Sequence, residues 1–378
     1  MSEANSATTN PAWPIVSGVC ATMAGIGLSR FAYAPLLPAI VQAGVLTGGQ
    51  AGLLGAFNLG GYLIGAAIAP STGRALGLAQ AMRMAMIGVT LCFLLCAVPG
   101  GLLWLAPWRV LTGGFAGILM VLAGPAVQAV VPPAIRGLAA GLVFVGVGSG
   151  IVIGALLVPA MLTEGLSQAW LALAALAFGL TVLSWRHWPK VEAPRAMRLP
   201  KLSGPPGALI LSYAFAAMAQ TVHMVWWPDF IVRGLGRSKS EAALLWLLYG
   251  VAAISGPALY GALADRIGAR RALRLVMGLQ AVGVGLPLLE QSDAWLVVSA
   301  VLAGSTAIGS TALTLTRARE LAGEGAAGLW RVNTVGFGLA QTMTGFGLAW
   351  LYAATGGHAA LFGAGLAAAV VATLLAGR

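Results

Sequence analysis

The chain has 378 residues, of which 59% are apolar and only 8% charged, and it carries a formal net charge of +11. A soluble globular protein carries about 25% charged residues, so composition excludes a water-exposed fold and leaves the lipid bilayer as the fitting solvent. The positive charge sits in short loops between apolar runs, which argues for membrane topology and against a nucleic-acid partner.

A membrane helix needs about 20 mostly apolar residues, and the breaks fall at Gly, Pro and charged clusters. Residues 1–12, rich in Ser, Thr and Asn, read as a disordered cytoplasmic N-terminus. Spans follow at 14–42, 50–70, 79–99, 103–131, 137–160 and 167–186. The polar stretch 187–204, with Lys190, Arg195, Arg198 and Lys201, reads as a cytoplasmic linker. The second set of spans lies at 206–232, 241–262, 271–290, 295–316, 328–353 and 358–376. The expected fold is an all-α membrane protein of about twelve transmembrane helices, in two six-helix bundles at 13–186 and 205–378.

Sixteen of the 21 basic residues fall on one side if the N-terminus is inside: Arg74, Arg83, Arg136, Arg186, Lys190, Arg195, Arg198, Lys201, Arg266, Arg270, Arg271, Arg274, Arg317, Arg319, Arg331 and Arg378. The other side holds Arg233, Arg237 and Lys239. The asymmetry predicts both termini in the cytoplasm and an inner-membrane, multi-pass protein. No basic residue precedes Arg30, so a cleaved signal peptide is not expected. Cys20, Cys92 and Cys96 lie in apolar stretches and form no disulfide framework.

An internal repeat divides the chain in the same place. Ala69-Pro70-Ser71-Thr72-Gly73-Arg74 aligns with Ala264-Asp265-Arg266-Ile267-Gly268 at an offset of 195 (264 − 69), and the same offset carries Arg136 onto Arg331 and Gly150 onto Gly345.

Gly261-Ala-Leu-Ala-Asp265-Arg266-Ile-Gly268-Ala-Arg270-Arg271 resembles the cytoplasmic loop signature of the major facilitator superfamily. The resemblance implies a secondary transporter in which Asp265, at a helix end, pairs with Arg266, Arg270 or Arg271 and latches one state of the carrier, with Gly261 allowing close helix approach. In the first-half copy Pro70 and Ser71 stand where Asp and Arg would be, so the latch is expected on one side only. Arg109-Val-Leu-Thr-Gly113-Gly114 is similar to the superfamily's fourth-helix arginine motif, often linked to proton coupling; from its position Arg109 could snorkel outward. Gly146, Gly150 and Gly154, spaced by four, make a flat packing face. Gly25-Ile-Gly27-Leu-Ser-Arg30-Phe31-Ala-Tyr33-Ala-Pro35-Leu-Leu-Pro38 resembles the first helix of the YbfB/YjiJ-type branch.

Arg30 falls near the middle of the first span, where a charge normally faces an interior cavity. Aligned at an offset of 193, Arg30 pairs with His223, Tyr33 with Trp226 and Pro35 with Pro228, so Arg30 and His223 are expected to face each other across the cavity. A guanidinium suits a carboxylate or phosphate, and histidine changes charge in the working pH range. The expected substrate is therefore a small organic anion, linked to protons. Tyr33, Asn58, Gln128, Gln220, Trp226, Trp227 and Gln341 are the further expected lining residues, and Arg109, His223 and Asp229 the expected coupling residues. Asp229 has Arg233 four residues on as a possible partner.

The branch also includes copper importers resembling CcoA, whose Met-xxx-Met and His-xxx-Met pairs suit Cu(I). Here Met218 is followed at the fourth place by Val222 and His223 by Trp227, which departs from that pattern. An exporter of drugs or metabolites, or a membrane receptor that transports nothing, would fit the same composition. His187, His223 and His358 are far apart, with no Asp or Glu at ligand spacing, and no Gly-x-x-x-x-Gly-Lys loop exists. No catalytic residue, metal or cofactor is expected, and a monomer in the bilayer with a small-molecule substrate is.

Overall fold

The computed structural model describes residues 12–132, 135–189 and 204–378. Most of the expected N-terminal segment (1–12) and of the expected linker (187–204) lies outside them. Among the described residues every regular element is helical. The first span is α1 (Ala12–Thr22), a π-helical turn (Met23–Leu28), a short 3-10 turn (Phe31–Tyr33) and α2 (Leu36–Gln42). Then come α3 (Gly48–Leu76), α4 (Leu78–Cys96), α5 (Leu102–Gln128), α6 (Arg136–Leu162) and α7 (Leu166–Ser184). The second series is α8 (Pro205–Asp229, continued by a π turn to Gly234), α9 (Lys239–Ile267), α10 (Ala269–Leu289), α11 (Asp293–Ala322), α12 (Ala326–Thr355) and α13 (Ala359–Ala376).

Eleven of these stretches are long and apolar enough to cross a membrane. The twelfth, α12, carries Arg331, Asn333, Thr334, Gln341, Thr342 and Thr344, yet it packs along α3 and α8 as the other spans pack on their neighbours. Three expected ends were early. Helix α3 continues through Pro70 to Leu76, α9 runs on to Ile267 and α11 to Ala322; prolines are tolerated in membrane helices because neighbouring groups satisfy the freed carbonyl.

Helices α3 and α9 begin alike. Thr47 and Gln50 form a reciprocal capping box on α3, and Ser238 and Glu241 form one on α9. Both helices end on a glycine at positive φ, Gly77 at 77° and Gly268 at 84°, where a side chain would be strained. Removing either cap, by Thr47→Ala or Ser238→Ala, should cost about 1 kcal/mol, read as a lower midpoint of thermal unfolding in detergent.

The repeat exists, but its register differs from the expected 195. Helices α9, α10 and α11 start 191 residues after α3, α4 and α5 (239 − 48, 269 − 78 and 293 − 102). Helix crossings repeat at the same interval. A Cβ on Gly65 would overlap the carbonyl oxygen of Gly114, and one on Gly256 that of Ser305. A Cβ on Gly113 would overlap the carbonyl of Asn58, and one on Gly304 that of Tyr249. The mate of Asp265 is thus Arg74, not Pro70. Nor does Gly261 serve helix approach: nothing lies within 4 Å of where its Cβ would be. The close contact on α9 is at Gly256.

Contacts between the two series cluster toward the end carrying Thr47 and Ser238. Gly48 lies against Tyr352, Gly49 against Ala353, and Gly52 against Trp226. Further along, Gly345 meets Ala56 and Leu59, Thr342 donates to the Leu59 carbonyl at 3.1 Å, and Gly250 meets Ile151 and Val152. The opposite end carries Arg74, Asp265, Arg266 and Arg331, all exposed.

Candidate functional site: the broken first span and its arginines

The first span does not run straight from 14 to 42. Glycines at 25 and 27 weaken the helix, and Pro35 lacks the N–H that would bond back into the preceding turn. Ser29 N–H reaches the Ala24 carbonyl at 3.2 Å, a π-type bond, and Arg30 N–H reaches Ile26. The glycine face of α6 receives this segment: a Cβ on Gly150 would come within 2.6 Å of the Gly27 Cα, and one on Gly154 within 2.9 Å of the Ala32 Cβ. Such π turns inside helices often mark functional positions.

Three polar side chains converge on the break. Arg109 Nη1 donates to the Ser29 carbonyl at 2.9 Å, and its guanidinium lies over the Tyr33 ring at 4.4 Å. Arg109 is 1% exposed, so it does not snorkel; it satisfies the carbonyl that the broken helix leaves open. Asn58 Nδ2 donates to Ser29 Oγ at 3.2 Å and to the Arg109 carbonyl at 3.3 Å. Tyr33 points its hydroxyl away, to the Ala51 carbonyl at 2.6 Å.

Arg30 is different. Its Nη1 donates to Gln341 Oε1 on α12 at 3.0 Å, and its guanidinium covers the Tyr62 ring at 4.3 Å. Its Nε and Nη2 are shielded from solvent and have no hydrogen-bond partner. Gln341 Nε2 in turn approaches the Met224 sulfur at 3.9 Å. The side chain as a whole is half-buried, close to where the packing between α3 and α12 reaches Leu59.

His223 does not face Arg30. Its Nε2 is 3.0 Å from Ser299 Oγ on α11, its ring stacks on Trp227 at 4.6 Å, and Phe362 of α13 meets it edge-on at 5.4 Å. It belongs to the interior of the second helix series. Trp227, 0% exposed, packs there too, against Phe230 and Phe362. Trp226 stacks on Tyr352 at 4.7 Å and fills the space beside Gly52. Both tryptophans are packed core rather than open platforms. Gln220 is buried with an unpartnered Oε1. Gln128 lies exposed on the last turn of α5 and does not join this cluster.

Asp229 is fully buried, and Arg233 grips it with two hydrogen bonds, Nε at 2.5 Å and Nη2 at 2.6 Å. His358 Nε2 lies 2.8 Å from Oδ2, the oxygen that Arg233 Nη2 also holds. A histidine 129 residues away gives no spacing signal, which is why the sequence shows it as isolated. Tyr62 also escaped notice, although it lies one helical turn after Asn58 on the same face. Trp246 and Tyr249 stack on each other at 4.7 Å beside Phe31, with Trp246 Nε1 and the Tyr249 hydroxyl buried and unpartnered.

At the opposite end, Asp265 is exposed and its carboxylate forms no ion pair among the described residues. Arg270 donates to the Gly377 carbonyl instead. The expected latch is unengaged in this conformation. The crevice lined by Pro35, Pro38, Pro159, Pro228 and Val232 has Lys239 as its one charged lining residue and is apart from the arginines. Among the described residues no group of three or more His, Cys, Asp or Glu could hold a metal ion.

A family model described as uncharacterised MFS-type transporter YbfB matches residues 22–377. Among curated proteins none matches. The fold is similar to a D-xylose–proton symporter (16% identity, 97% of this chain and 96% of that one, TM-score 0.74). It is similar as well to the xylose transporter XylE from E. coli in a partially occluded inward-open conformation (13% identity, 97% and 98%, TM-score 0.75). A bacterial homolog of the human lysosomal transporter Spinster, inward-facing and occupied, matches at 19% identity over 97% and 96%, with a TM-score of 0.68. At these identities the likeness is one of fold.

Proposed function

Because the chain belongs to the YbfB-type family of major facilitator transporters, we propose that it moves a small organic anion across the inner membrane by alternating access, coupled to protons. The observation that carries the substrate class is Arg30. A guanidinium with two shielded, unpartnered donors is costly to bury. Arg109 brings a second cation to the same break, and the one buried carboxylate among the described residues, Asp229, is already held by Arg233 and His358. An oxygen pair from a carboxylate would satisfy the fork of Arg30 bidentately.

The positive-inside asymmetry assigns the end carrying Arg74, Arg266 and Arg331 to the cytoplasm, with both termini there. The tight contacts of α3 with α12 and of α6 with α9 then close the outer side. In this reading the chain is inward-facing, which agrees with the unengaged Asp265 and with the inward-open state of the similar XylE structure. One chain supplies both helix series, so a monomer suffices.

Of the expected coupling residues, Arg109 stays a cation at any relevant pH and His223 is enclosed by aromatic rings, which leaves Asp229. The substrate class is tested by thermal stabilisation of the purified chain with a panel of small mono- and dicarboxylates, neutral metabolites, cationic drugs and Cu(I). Stabilisation by carboxylates supports the reading. Stabilisation by neutral, cationic or copper ligands alone overturns it.

A further inference from the structure

We propose that Asp229, held between His358 and Arg233, is the proton-binding site of this carrier, and that its protonation releases the closed seam between α3 and α12. The proposal rests on the transporter reading but not on the substrate being an anion.

Three elements meet at this carboxylate. Asp229 ends α8, Arg233 follows in the π turn, and His358 caps α13. Both carboxylate oxygens are engaged, Oδ1 by Arg233 and Oδ2 by Arg233 and His358. The cluster lies directly beneath the seam. The Arg233 guanidinium sits 5.4 Å from the Tyr352 ring centre of α12. It also abuts Gly48, the first residue of α3: a Cβ there would come within 2.9 Å of Nη2.

That position sets the electrostatics. The N-terminus of a helix carries roughly half a positive charge, so a guanidinium against the first turn of α3 is repelled unless a counter-ion lies beside it. Asp229 is that counter-ion. Neutralising it leaves Arg233, only half-buried, facing the start of α3 uncompensated. The two parts of the seam are then pushed apart, and the outer side opens.

The proton has a route. His358 Nε2 bonds the carboxylate, and its Nδ1 has no hydrogen-bond partner among the described residues. Nδ1 takes a proton from the outer water, and the Nε2 proton passes to Asp229 Oδ2. The result is a neutral imidazole protonated at Nδ1 and a neutral carboxylic acid, one proton gained in all. The other titratable or charged groups facing the cluster are Arg233 itself and Tyr352 of α12, with Tyr33 of the first span committed to the Ala51 carbonyl. Arg237, Glu241 and Asp293 pair among themselves at the rim.

The test uses the full chain in lipid nanodiscs with spin labels on Ala43→Cys and Ala354→Cys, exposed positions either side of the seam. The native cysteines are buried and escape labelling. Lowering the pH from about 8 to about 5 should lengthen the inter-label distance. Asp229→Asn should give the long distance at every pH. His358→Gln keeps a donor to the carboxylate without relaying a proton, and should move the pH at which the distance changes. A wild-type distance independent of pH, or an unchanged response in either Asp229→Asn or His358→Gln, overturns the proposal; if Asp229→Asn does not fold, His358→Gln decides alone. A pH response that survives while no carboxylate stabilises the chain separates this site from the anion reading, which alone would then fail.

Discussion

Arg30→Ala should abolish stabilisation by whichever carboxylate raises the melting temperature of the wild type. Truncating one side of a buried, hydrogen-bonded charge pair costs about 2–5 kcal/mol, or roughly 30-fold to several thousand-fold in affinity. Arg30→Lys keeps the charge but loses the planar fork, so it should recover part of the binding and leave a weaker, less selective site. Gln341 offers Arg30 one neutral oxygen at 3.0 Å; Gln341→Ala should cost about 1 kcal/mol, less than tenfold. The ligand-free protein should behave in the opposite sense. Two guanidinium donors of Arg30 are shielded without partners, and removing an unsatisfied buried charge relieves a desolvation cost. Free Arg30→Ala should therefore unfold at the same temperature as the wild type or higher. That combination, binding lost and stability kept, separates a substrate residue from a structural one. Equal carboxylate affinity in Arg30→Ala would mean that Arg30 does not hold the anion.

Helices were legible in the sequence because a bilayer imposes a strong signal: long apolar runs bounded by Gly, Pro and charge. The break in the first span was not, because a π turn followed by a short 3-10 turn leaves the apolar run unbroken. The repeat was legible but slipped by four residues. The slip has a physical origin, since glycines recur at four-residue spacing where helices cross, as at Gly61 and Gly65 or Gly113 and Gly117, and a shift of one turn keeps the same face. Asn58 and Arg109 could be named from their types, yet their common partner, the backbone and side chain of Ser29, depends on three helices meeting. His358 and Asp229 are brought together by the packing of α13 against α8, which no local pattern encodes. Trp226 and Trp227 read in the sequence either as substrate platforms or as membrane-interface residues; in the fold their rings are enclosed by Tyr352, Phe230 and Phe362.

Gly65→Val and Gly256→Val should each prevent recovery of folded protein. In both crossings a Cβ would overlap a backbone carbonyl of the partner helix, Gly114 for Gly65 and Ser305 for Gly256. A flexible side chain could swing aside, but backbone oxygen cannot move without shifting its whole helix. Overpacking ordinarily costs about 1–3 kcal/mol and more where nothing can yield, against a total stability of about 5–15 kcal/mol. Alanine at the same positions should already lower the unfolding midpoint in detergent. Gly60 supplies the control on the same helix: a Cβ there meets Thr342 Cγ2 at an ordinary 3.6 Å. Gly60→Ala should be neutral, or stabilising by up to about 1 kcal/mol through helix propensity, and Gly261→Ala on α9 likewise, since its Cβ would enter open space. The two tight sites lie 191 residues apart in equivalent helices, so their costs should be alike. A tolerant Gly256 beside an intolerant Gly65 would mean that the two helix series do not share the crossing that makes them repeats.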